Sequence, residues 1–520
     1  MILTAILFWP VAGGLLAWLS QRWGEAWPRR VAAASLLVHL AAVVALWIWS
    51  PAPVLTSGVR SGAWYREVSV PWIPELGIDY HLALDGLSLL LILLTSFLGL
   101  MAVLASWADA PRRPGFFHLN LLWIVSALVG AFLALDLALF YLFWEMMLVP
   151  LYFLIGIWGY ERRTYATLKF FLFTQAGSLL LLVAILALYF YHGQQTGTYT
   201  FNYADLLGTA LPAGVAPLLM LGFFAAFAVK LPAVPLHTWL PDAHTEAPTA
   251  GSVILAGLVL KVGAYGFIRF LVPLFPEAAR DIAPVAMALG VAGILYGGLV
   301  ASGQRDLKRL VAYTSVSHMG FVLLGIFAWN SLALQGAVIV MLAHGLSTGA
   351  LFILVGDLYR RTHTRNLDRL GGLWDTVPRM GGAGLFFALA SLGLPGLGNF
   401  VGEILVLMGA YQVSPLLAAL AAVGFVVSTI YSLRLVQRTF FGPNEGGWKL
   451  PDLGRREVGI LAALVALVLW LGLYPRPFLD TAAPALEAIR QQAGGELAAE
   501  VLPGGDEPLA TLLAPEDETP

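Results

Sequence analysis

The fold is decided by residues 227–270, which read FAVKLPAVPLHTWLPDAHTEAPTAGSVILAGLVLKVGAYGFIRF. Two lysines, Lys230 and Lys261, stand here in apolar surroundings, and Pro232 and Pro235 directly follow the first of them. Proline removes a hydrogen bond from a helix interior and kinks or breaks the helix. At membrane depth such a break is tolerated only where protein or a water-filled cavity satisfies the freed backbone groups. The segment therefore predicts a broken membrane helix beside an internal polar path.

The composition of the whole chain excludes a soluble globular protein. Hydrophobic residues make up 59% of the 520 residues and charged residues only 12%, against about 25% in soluble domains, and the mean hydropathy is +0.80. A membrane-spanning helix needs about 20 mostly apolar residues. The 14 runs of this kind lie near residues 2–20, 31–50, 81–106, 115–132, 133–157, 165–191, 214–240, 247–272, 283–302, 308–328, 333–358, 382–412, 415–440 and 457–474. Their length and continuous apolarity exclude barrel strands, so the predicted fold is an all-α polytopic membrane protein with about 14 transmembrane helices.

The orientation in the membrane follows from the basic residues. Of the 29 Lys and Arg residues, 21 lie in loops after odd-numbered spans, six lie in the other loops, and Lys230 and Lys261 lie inside spans. Because cytoplasmic loops carry the excess of basic residues, both termini are expected on the outer face. The run from Ile2 to Leu19 has no basic residue before it, which favours a first span over a cleaved signal peptide. The Ala- and Gly-rich spans favour a bacterial plasma (inner) membrane.

Four ionisable residues lie deep in the predicted spans: Glu145, Lys230, Lys261 and Glu403. A charge at mid-membrane costs at least about 2.5–3.5 kcal/mol, so the default interpretation of such a residue is functional. The alternatives are a protonated core acid for Glu145, a lysine reaching toward the interface for Lys230, and structural roles for the other two.

Two histidines belong to polar stripes within apolar helices, because residues three and four apart share a helix face. The stripes are Thr314, Ser315 and His318, and His344, Ser347 and Thr348. Such stripes can hold water and relay protons, although satisfied core histidines are the alternative.

Other polar residues favour structural roles. His39 is alone in its apolar span and is read as a core histidine, and Asp136 is a candidate helix cap. His237 and His244 do not have a recognised zinc spacing, and contacts with carboxylates that order a loop explain them equally well.

A second break recurs in the other half of the chain. Pro395 lies among glycines ahead of Glu403, 163 residues after Pro232, and that offset corresponds to about five spans. Paired breaks at corresponding places indicate a transporter ion site, and a repeat of five spans inverts the second copy. The predicted units are residues 1–112 (spans 1–3), 113–275 (first repeat, spans 4–8), 276–443 (second, inverted repeat, spans 9–13), 444–476 (final span) and 477–520, an acidic tail expected to be flexible and solvated.

The same residues carry a family resemblance. WEMMLVPLYFLIGIWG at 144–159, the segment 227–270 and GLPGLGNFVGE at 393–403 resemble the antiporter-like subunits of respiratory complex I, NADH-quinone oxidoreductase, over nearly the whole chain. Glu403 favours the M type, because the sister subunits carry a lysine on the twelfth span. The family is related to the Mrp-type cation/proton antiporter subunits.

The resemblance implies roles for six residues. Glu145 and Lys230 would form the interacting pair of the first half-channel, Lys261 would be the central relay lysine, and Glu403 would belong to the second half-channel. His318 and His344 match the histidines of the central polar axis. The implied partners are other membrane subunits, including sister antiporter-like subunits, together with the lipid bilayer and protons, and no nucleic acid.

The expected function is outward proton movement coupled to redox chemistry in partner subunits. At about 6 Å and an effective dielectric of about 20, a Glu145–Lys230 pair is worth about 3 kcal/mol, comparable with about 2.3 kcal/mol per charge per 100 mV. Breaking one pair could thus drive about one proton. The chain contains no cysteine, no P-loop pattern and no dinucleotide fingerprint, so neither a cofactor nor a metal is expected in it.

Four alternatives remain open from the sequence. They are a subunit of a multisubunit monovalent cation/proton antiporter, a subunit of a membrane-bound hydrogenase, a haem-carrying protein with His318 and His344 as axial ligands, and a structural scaffold.

Overall fold

The computed structural model describes residues 1–50, 52–56, 62–109 and 112–494. Within them the chain is a bundle of helices with two small antiparallel hairpins. The first thirteen helices are α1 (Ile2–Ser20), α2 (Trp27–Trp49), α3 (Gly86–Ala105), α4 (Pro114–Leu133), α5 (Leu137–Met146), α6 (Leu148–Trp158), α7 (Arg163–Thr196), α8 (Tyr203–Leu206), α9 (Ala216–Lys230), α10 (Trp239–Glu246), α11 (Thr249–Ile254), α12 (Leu260–Gly266) and α13 (Val272–Leu274).

The second half of the bundle is simpler. Its helices are α14 (Pro276–Gly303), α15 (Leu307–Ala328), α16 (Ser331–Thr362), α17 (Pro378–Ser391), α18 (Gly398–Val413), α19 (Pro415–Phe440), α20 (Arg455–Leu473) and α21 (Arg476–Gln492). The hairpins pair β1 (Val54–Thr56) with β2 (Gly62–Trp64), and β3 (Arg66–Ile73) with β4 (Ile78–Leu84). The all-α prediction missed these strands because they are short compared with the spans, and β4 runs into the predicted span near 81–106.

Twelve helical segments in the described part of the chain are long and apolar enough to cross a membrane. The remaining two predicted spans, near 214–240 and 382–412, are each divided in two. In the first, α9 ends at Lys230 and α10 begins at Trp239; in the second, α17 ends at Ser391 and α18 begins at Gly398. The polytopic helical fold with two broken helices is therefore confirmed. The inverted-repeat organisation is compatible with this arrangement and stays a prediction.

Glycines bring several of these helices into backbone contact. A Cβ placed on Gly402 of α18 would lie 2.6 Å from the amide nitrogen of Val340 on α16, and one on Gly336 of α16 would lie 2.6 Å from the amide of Val406. Small residues at helix interfaces allow such close packing inside membranes. The contact fixes α18, which carries Glu403, against α16, which carries His344.

The C-terminal region corrects one prediction. The sequence from Pro477 was expected to be a flexible tail, but α21 is a packed helix with one buried apolar face that includes Phe478, Ala482, Leu486 and Ile489. Trp47 Nε1 donates to Thr481 Oγ1 at 2.9 Å, which ties α21 to α2. The acidic content of the segment indicated a solvated tail, although its apolar residues recur three and four positions apart, as on one face of a helix. The rest of the predicted tail, residues 495–520, lies outside the described residues.

Candidate functional site

Lys261 lies at the centre of the bundle on a helix of unusual geometry. The segments Leu255–Val259 and Phe267–Leu271, which flank α12, are π-helical. Such wider turns occur often at functional sites. The Lys261 side chain is fully buried. Its Nζ donates to the carbonyl of Ala256 at 2.6 Å and lies 2.8 Å from Nδ1 of His344 on α16.

His344 continues the polar contacts toward α15. Its ring centroid is 5.4 Å from that of His318, which is also buried. His318 Nδ1 lies 2.9 Å from Oε1 of Glu403, and its Nε2 lies 3.1 Å from the hydroxyl of Ser391. Lys261, His344, His318 and Glu403 thus form one buried chain, which we call the central relay. It runs from the π-helical span to α16, then to α15, and ends on α18 of the second broken helix.

The contacts of His318 allow its two ring nitrogens to exchange roles. When Nδ1 carries a proton it donates to Glu403, and Nε2 then accepts from Ser391 or from the hydroxyl of Tyr431, which lies 3.3 Å away. A neutral imidazole has one donor and one acceptor nitrogen, and which is which depends on its neighbours. A proton can therefore enter the ring on one side and leave on the other.

Further polar groups border the central relay. Ser347 Oγ donates to Oδ1 of Asn399 at 3.2 Å. Within the described residues, the buried atoms Ser315 Oγ, Thr348 Oγ1, Asn399 Nδ2 and His344 Nε2 have no protein hydrogen-bond partner. Buried polar groups of this kind are the ones that internal water satisfies.

The interacting pair of Glu145 and Lys230 that the resemblance implied stays a prediction, and the direct contacts of Lys230 are with the neighbouring Trp144. The Lys230 Nζ donates to the carbonyl of Trp144 at 3.4 Å and lies 4.0 Å from the centroid of its indole ring. Glu145 is only partly buried, and no ion pair joins it to Lys230 in the described part of the chain. Glu145 directly follows Trp144 on α5, and its carboxylate is close enough to Lys230 for the two charges to interact without an ion pair.

The residues interpreted as structural have ordinary partners. His39 Nε2 lies 3.0 Å from the carbonyl of Ile6, and Ser96 Oγ lies 2.9 Å from its Nδ1. Asp136 caps α5 by accepting from the backbone amides of residues 138 and 139.

The two histidines of the first break have aromatic contacts. The His244 ring stacks on Phe352 at a centroid distance of 4.6 Å, and the His237 ring packs edge-on against Tyr296 at 5.2 Å. The expected carboxylate contacts are replaced by these rings. No group of three His, Asp or Glu side chains suited to a metal is present among the residues that the structure describes.

Two buried cations were not predicted, because their positions near the ends of spans assigned them to the loops. Arg269 is 1% exposed and forms an ion pair with Asp85, which is equally buried. Lys308 is 2% exposed, donates to the carbonyl of Ala247 and lies 5.0 Å from the ring centroid of Tyr160. The signal for Arg269 was its place inside the predicted span 247–272, eight residues after Lys261.

A polar cavity of about 480 Å³ opens at the end of the bundle that carries the basic loops. It lies between segments 160–165, 242–246, 305–309 and 359–366. Several of its ionisable groups are already paired: Asp242 with Lys169 at 2.7 Å, and Arg365 with Asp306 at 3.2 Å. The cavity therefore offers water access to the first broken helix without a strong excess of one charge.

Buried ionisable groups at paired helix breaks define a class of membrane protein, the ion-translocating proteins of antiporter type. A family model described as NADH:quinone oxidoreductase/Mrp antiporter, TM matches residues 134–430. The chain belongs to this family. That range contains the central relay, Glu145 and Lys230.

Full-length relatives and solved structures agree with this membership. The chain is 51% identical to NADH-quinone oxidoreductase subunit M of Pseudomonas aeruginosa, over 96% of this chain and 99% of the relative. It is 50% identical to subunit M of Escherichia coli K12, over 94% and 98%. A chain of respiratory complex I from Thermus thermophilus with bound NADH superposes with a TM-score of 0.85 at 34% identity, covering 95% of this chain and 99% of that one. A chain of the Mrp complex from Dietzia sp. shares the fold, with a TM-score of 0.79 at 24% identity over 97% and 54% of the two chains.

Proposed function

We propose that this chain is a proton-translocating membrane subunit of a NADH-quinone oxidoreductase, of the M type. The observation that carries the proposal is the central relay. Four ionisable side chains, from Lys261 to Glu403, are in successive contact inside a bundle that otherwise buries apolar residues. Such groups are rare in membrane spans and typically line ion pathways or proton relays. The full-length similarity to subunit M proteins supports the choice of complex.

The proposed route runs from the cytoplasm to the outer face. The basic loops assign the cavity between the loops to the cytoplasm, and both termini to the outer face. Protons enter there, reach the region of Lys230, pass Lys261, His344 and His318, and leave outward past Glu403. The two breaks allow this route, because half-helix ends and unpaired carbonyls can line a hydrated path.

The driving energy comes from partner subunits, in which the redox chemistry takes place. This chain acts as a translocase and holds no cofactor or redox centre of its own. Its partners are other membrane subunits, including sister antiporter-like subunits, in a bacterial plasma (inner) membrane. Glu145 is partly buried and directly follows Trp144, the residue that contacts Lys230. Movement of its charge changes the electrostatic environment of Lys230 and so the lysine's hold on its proton.

The proposal is tested by NADH-driven proton uptake into inverted membrane vesicles that contain the whole complex. We expect Lys230→Ala and Glu403→Gln to lower proton uptake about a hundredfold, the lower end of what a proton-transfer group contributes. Coupled NADH oxidation should fall with it. Assembly is checked in parallel by native gel electrophoresis. Unchanged proton uptake in both assembled variants would show that these charges are structural.

A second candidate function is the exchange of a monovalent cation for protons. The family description includes Mrp antiporters, and a chain of an Mrp complex has the same fold. Against it, the central relay ends in one carboxylate held by a histidine rather than in a cluster of oxygen ligands. Proton uptake by vesicles in sodium-free potassium buffer distinguishes the two: sodium-dependent uptake would favour the antiporter.

A further inference from the structure

A buried ion pair lies on the same helical span as Lys261, the residue at one end of the central relay. Arg269 follows Lys261 by eight residues, which corresponds to about 12 Å along a helix. Its guanidinium pairs with Asp85, the residue that caps α3, and each of the two residues is 1% exposed. By the orientation given above, this pair stands between Lys261 and the outer face. The proposed route, which leaves by Glu403, does not use it.

The hydrogen bonds around the pair leave little room for water. Arg269 Nε donates to the hydroxyl of Tyr265 at 3.3 Å, and that hydroxyl donates to the carbonyl of Phe132 at 3.1 Å. Ser88 Oγ donates to the same carbonyl at 2.6 Å. The guanidinium carbon lies 5.3 Å from the ring centroid of Trp64. Donors and aromatic rings therefore enclose the arginine.

Helix α21 covers the pair from the outer side. A Cβ placed on Gly86, directly after Asp85, would lie 1.7 Å from the backbone carbonyl oxygen of Thr481. Only glycine permits this approach of the α21 backbone to the start of α3. At the end of α21, the hydroxyl of Tyr203 donates to Oε1 of Gln492 at 2.7 Å. Contacts near its start and at its end thus fix α21 over the end of the bundle that contains the ion pair.

Arginine is suited to stop a proton at this point. Its guanidinium only donates hydrogen bonds, offers no acceptor, and is not deprotonated in proteins, so a proton cannot pass through it from one neighbour to the next. We propose that the Asp85–Arg269 pair is a proton-impermeable closure that prevents Lys261 from exchanging protons directly with the outer face. This closure gives the proposed proton translocation its direction, and it rests on that proposed function.

The closure is tested with the purified complex in proteoliposomes, using two substitutions of the same residue. Arg269→His places a group there that can both accept and donate a proton, whereas the amide of Arg269→Gln forms hydrogen bonds but does not titrate. Both shorten or reshape the side chain, so both disturb packing. Without NADH, a potassium diffusion potential set by valinomycin drives passive proton flux, and an internal pH dye reports it. We expect a leak about tenfold higher for Arg269→His, which corresponds to about 1.4 kcal/mol off the barrier, and a leak within about twofold of the parent for Arg269→Gln, which cannot carry a proton.

The outcomes separate the closure from a packing role. Equal leaks in the two variants, or a tight Arg269→His complex, would overturn the proposal. If Arg269→His does not assemble, the double variant Asp85→Asn/Arg269→His, which removes the unpaired carboxylate and keeps the imidazole, is expected to show the same rise, and a tight double variant would overturn it. Because the leak is measured without turnover, it is independent of the proposed function, whose failure appears instead as absent NADH-driven proton uptake in the parent complex.

Discussion

Two buried histidines show how neighbours decide what a residue can do. His39 and His318 each have both ring nitrogens in hydrogen-bond contact. The partners of His39 are a backbone carbonyl and a serine, so a proton on its ring has no further group to reach. His318 contacts the carboxylate of Glu403 and lies beside His344. Burial and hydrogen bonding alone therefore do not identify a relay histidine; the ionisable partner does.

This difference gives a prediction with a matched control. We expect His318→Gln to lower NADH-driven proton uptake by about a hundredfold, because glutamine can bond to Glu403 but cannot carry a proton onward. His39→Gln should leave uptake per assembled complex within about twofold of the parent, since it changes only local packing. Both variants are measured in the same inverted vesicles, with uptake normalised to assembled complex. Equal losses in the two would remove His318 from the proposed route.

At the same scale, the sequence located the candidate residues but not their contacts. The deep charges and polar stripes were visible because each interrupts an apolar run. That Lys261 meets His344 could not be predicted, since the contact joins residues 83 positions apart and depends on the π-helical turns of the span. The expected interaction of Glu145 with Lys230 at about 6 Å stays a prediction, and the direct contact of the lysine with Trp144 could not be predicted from the sequence.

Helix contacts determine whether the central relay can form. The backbones of α16 and α18 touch at Gly336 and Gly402, next to Glu403. Breaks at prolines and glycines were predictable from the sequence because these residues have local effects. Which glycines mark a helix contact was not, since this depends on the neighbouring helix. The apolar face of α21 could have been read from its spacing, but the strands near the N-terminal helices offered only a short pattern.

The glycine contact gives the second prediction. Gly402→Ala should destabilise the subunit by about 1–3 kcal/mol, the usual range for overpacking, because its methyl group would meet the backbone of Val340. Gly382→Ala in α17 is the control, since a Cβ there has no heavy atom within 4 Å. The measurement is the temperature at which brief heating of inverted vesicles removes half of their NADH-driven proton uptake, which gives a midpoint for each variant. A Gly402→Ala midpoint equal to that of Gly382→Ala would contradict the packing argument.

For the molecule as a whole, the number of spans and the distribution of basic residues fix the expected orientation. Fourteen spans, an even number, place both termini on one face, and the basic loops assign the other face to the cytoplasm. The two ends of the bundle then differ in their access to water. In the expected orientation the cavity between the basic loops would open toward the cytoplasm, and the proposed Asp85–Arg269 closure under α21 would lie at the outer end of the Lys261 helix. The expected direction of proton movement follows from this orientation.

The orientation can be measured simply because the chain contains no cysteine. Thr198, after α7, and Glu445, after α19, are both exposed and lie at opposite ends of the bundle. We expect Thr198→Cys to react with a membrane-impermeant maleimide in right-side-out vesicles and to be protected in inverted ones, and Glu445→Cys to show the reverse, with labelling differences of about tenfold or more, because the charged reagent does not cross the bilayer. Detergent-solubilised samples should label at both sites, which controls for accessibility. The opposite pattern would reverse the cytoplasmic and outer faces, and the proposed route would then carry protons inward.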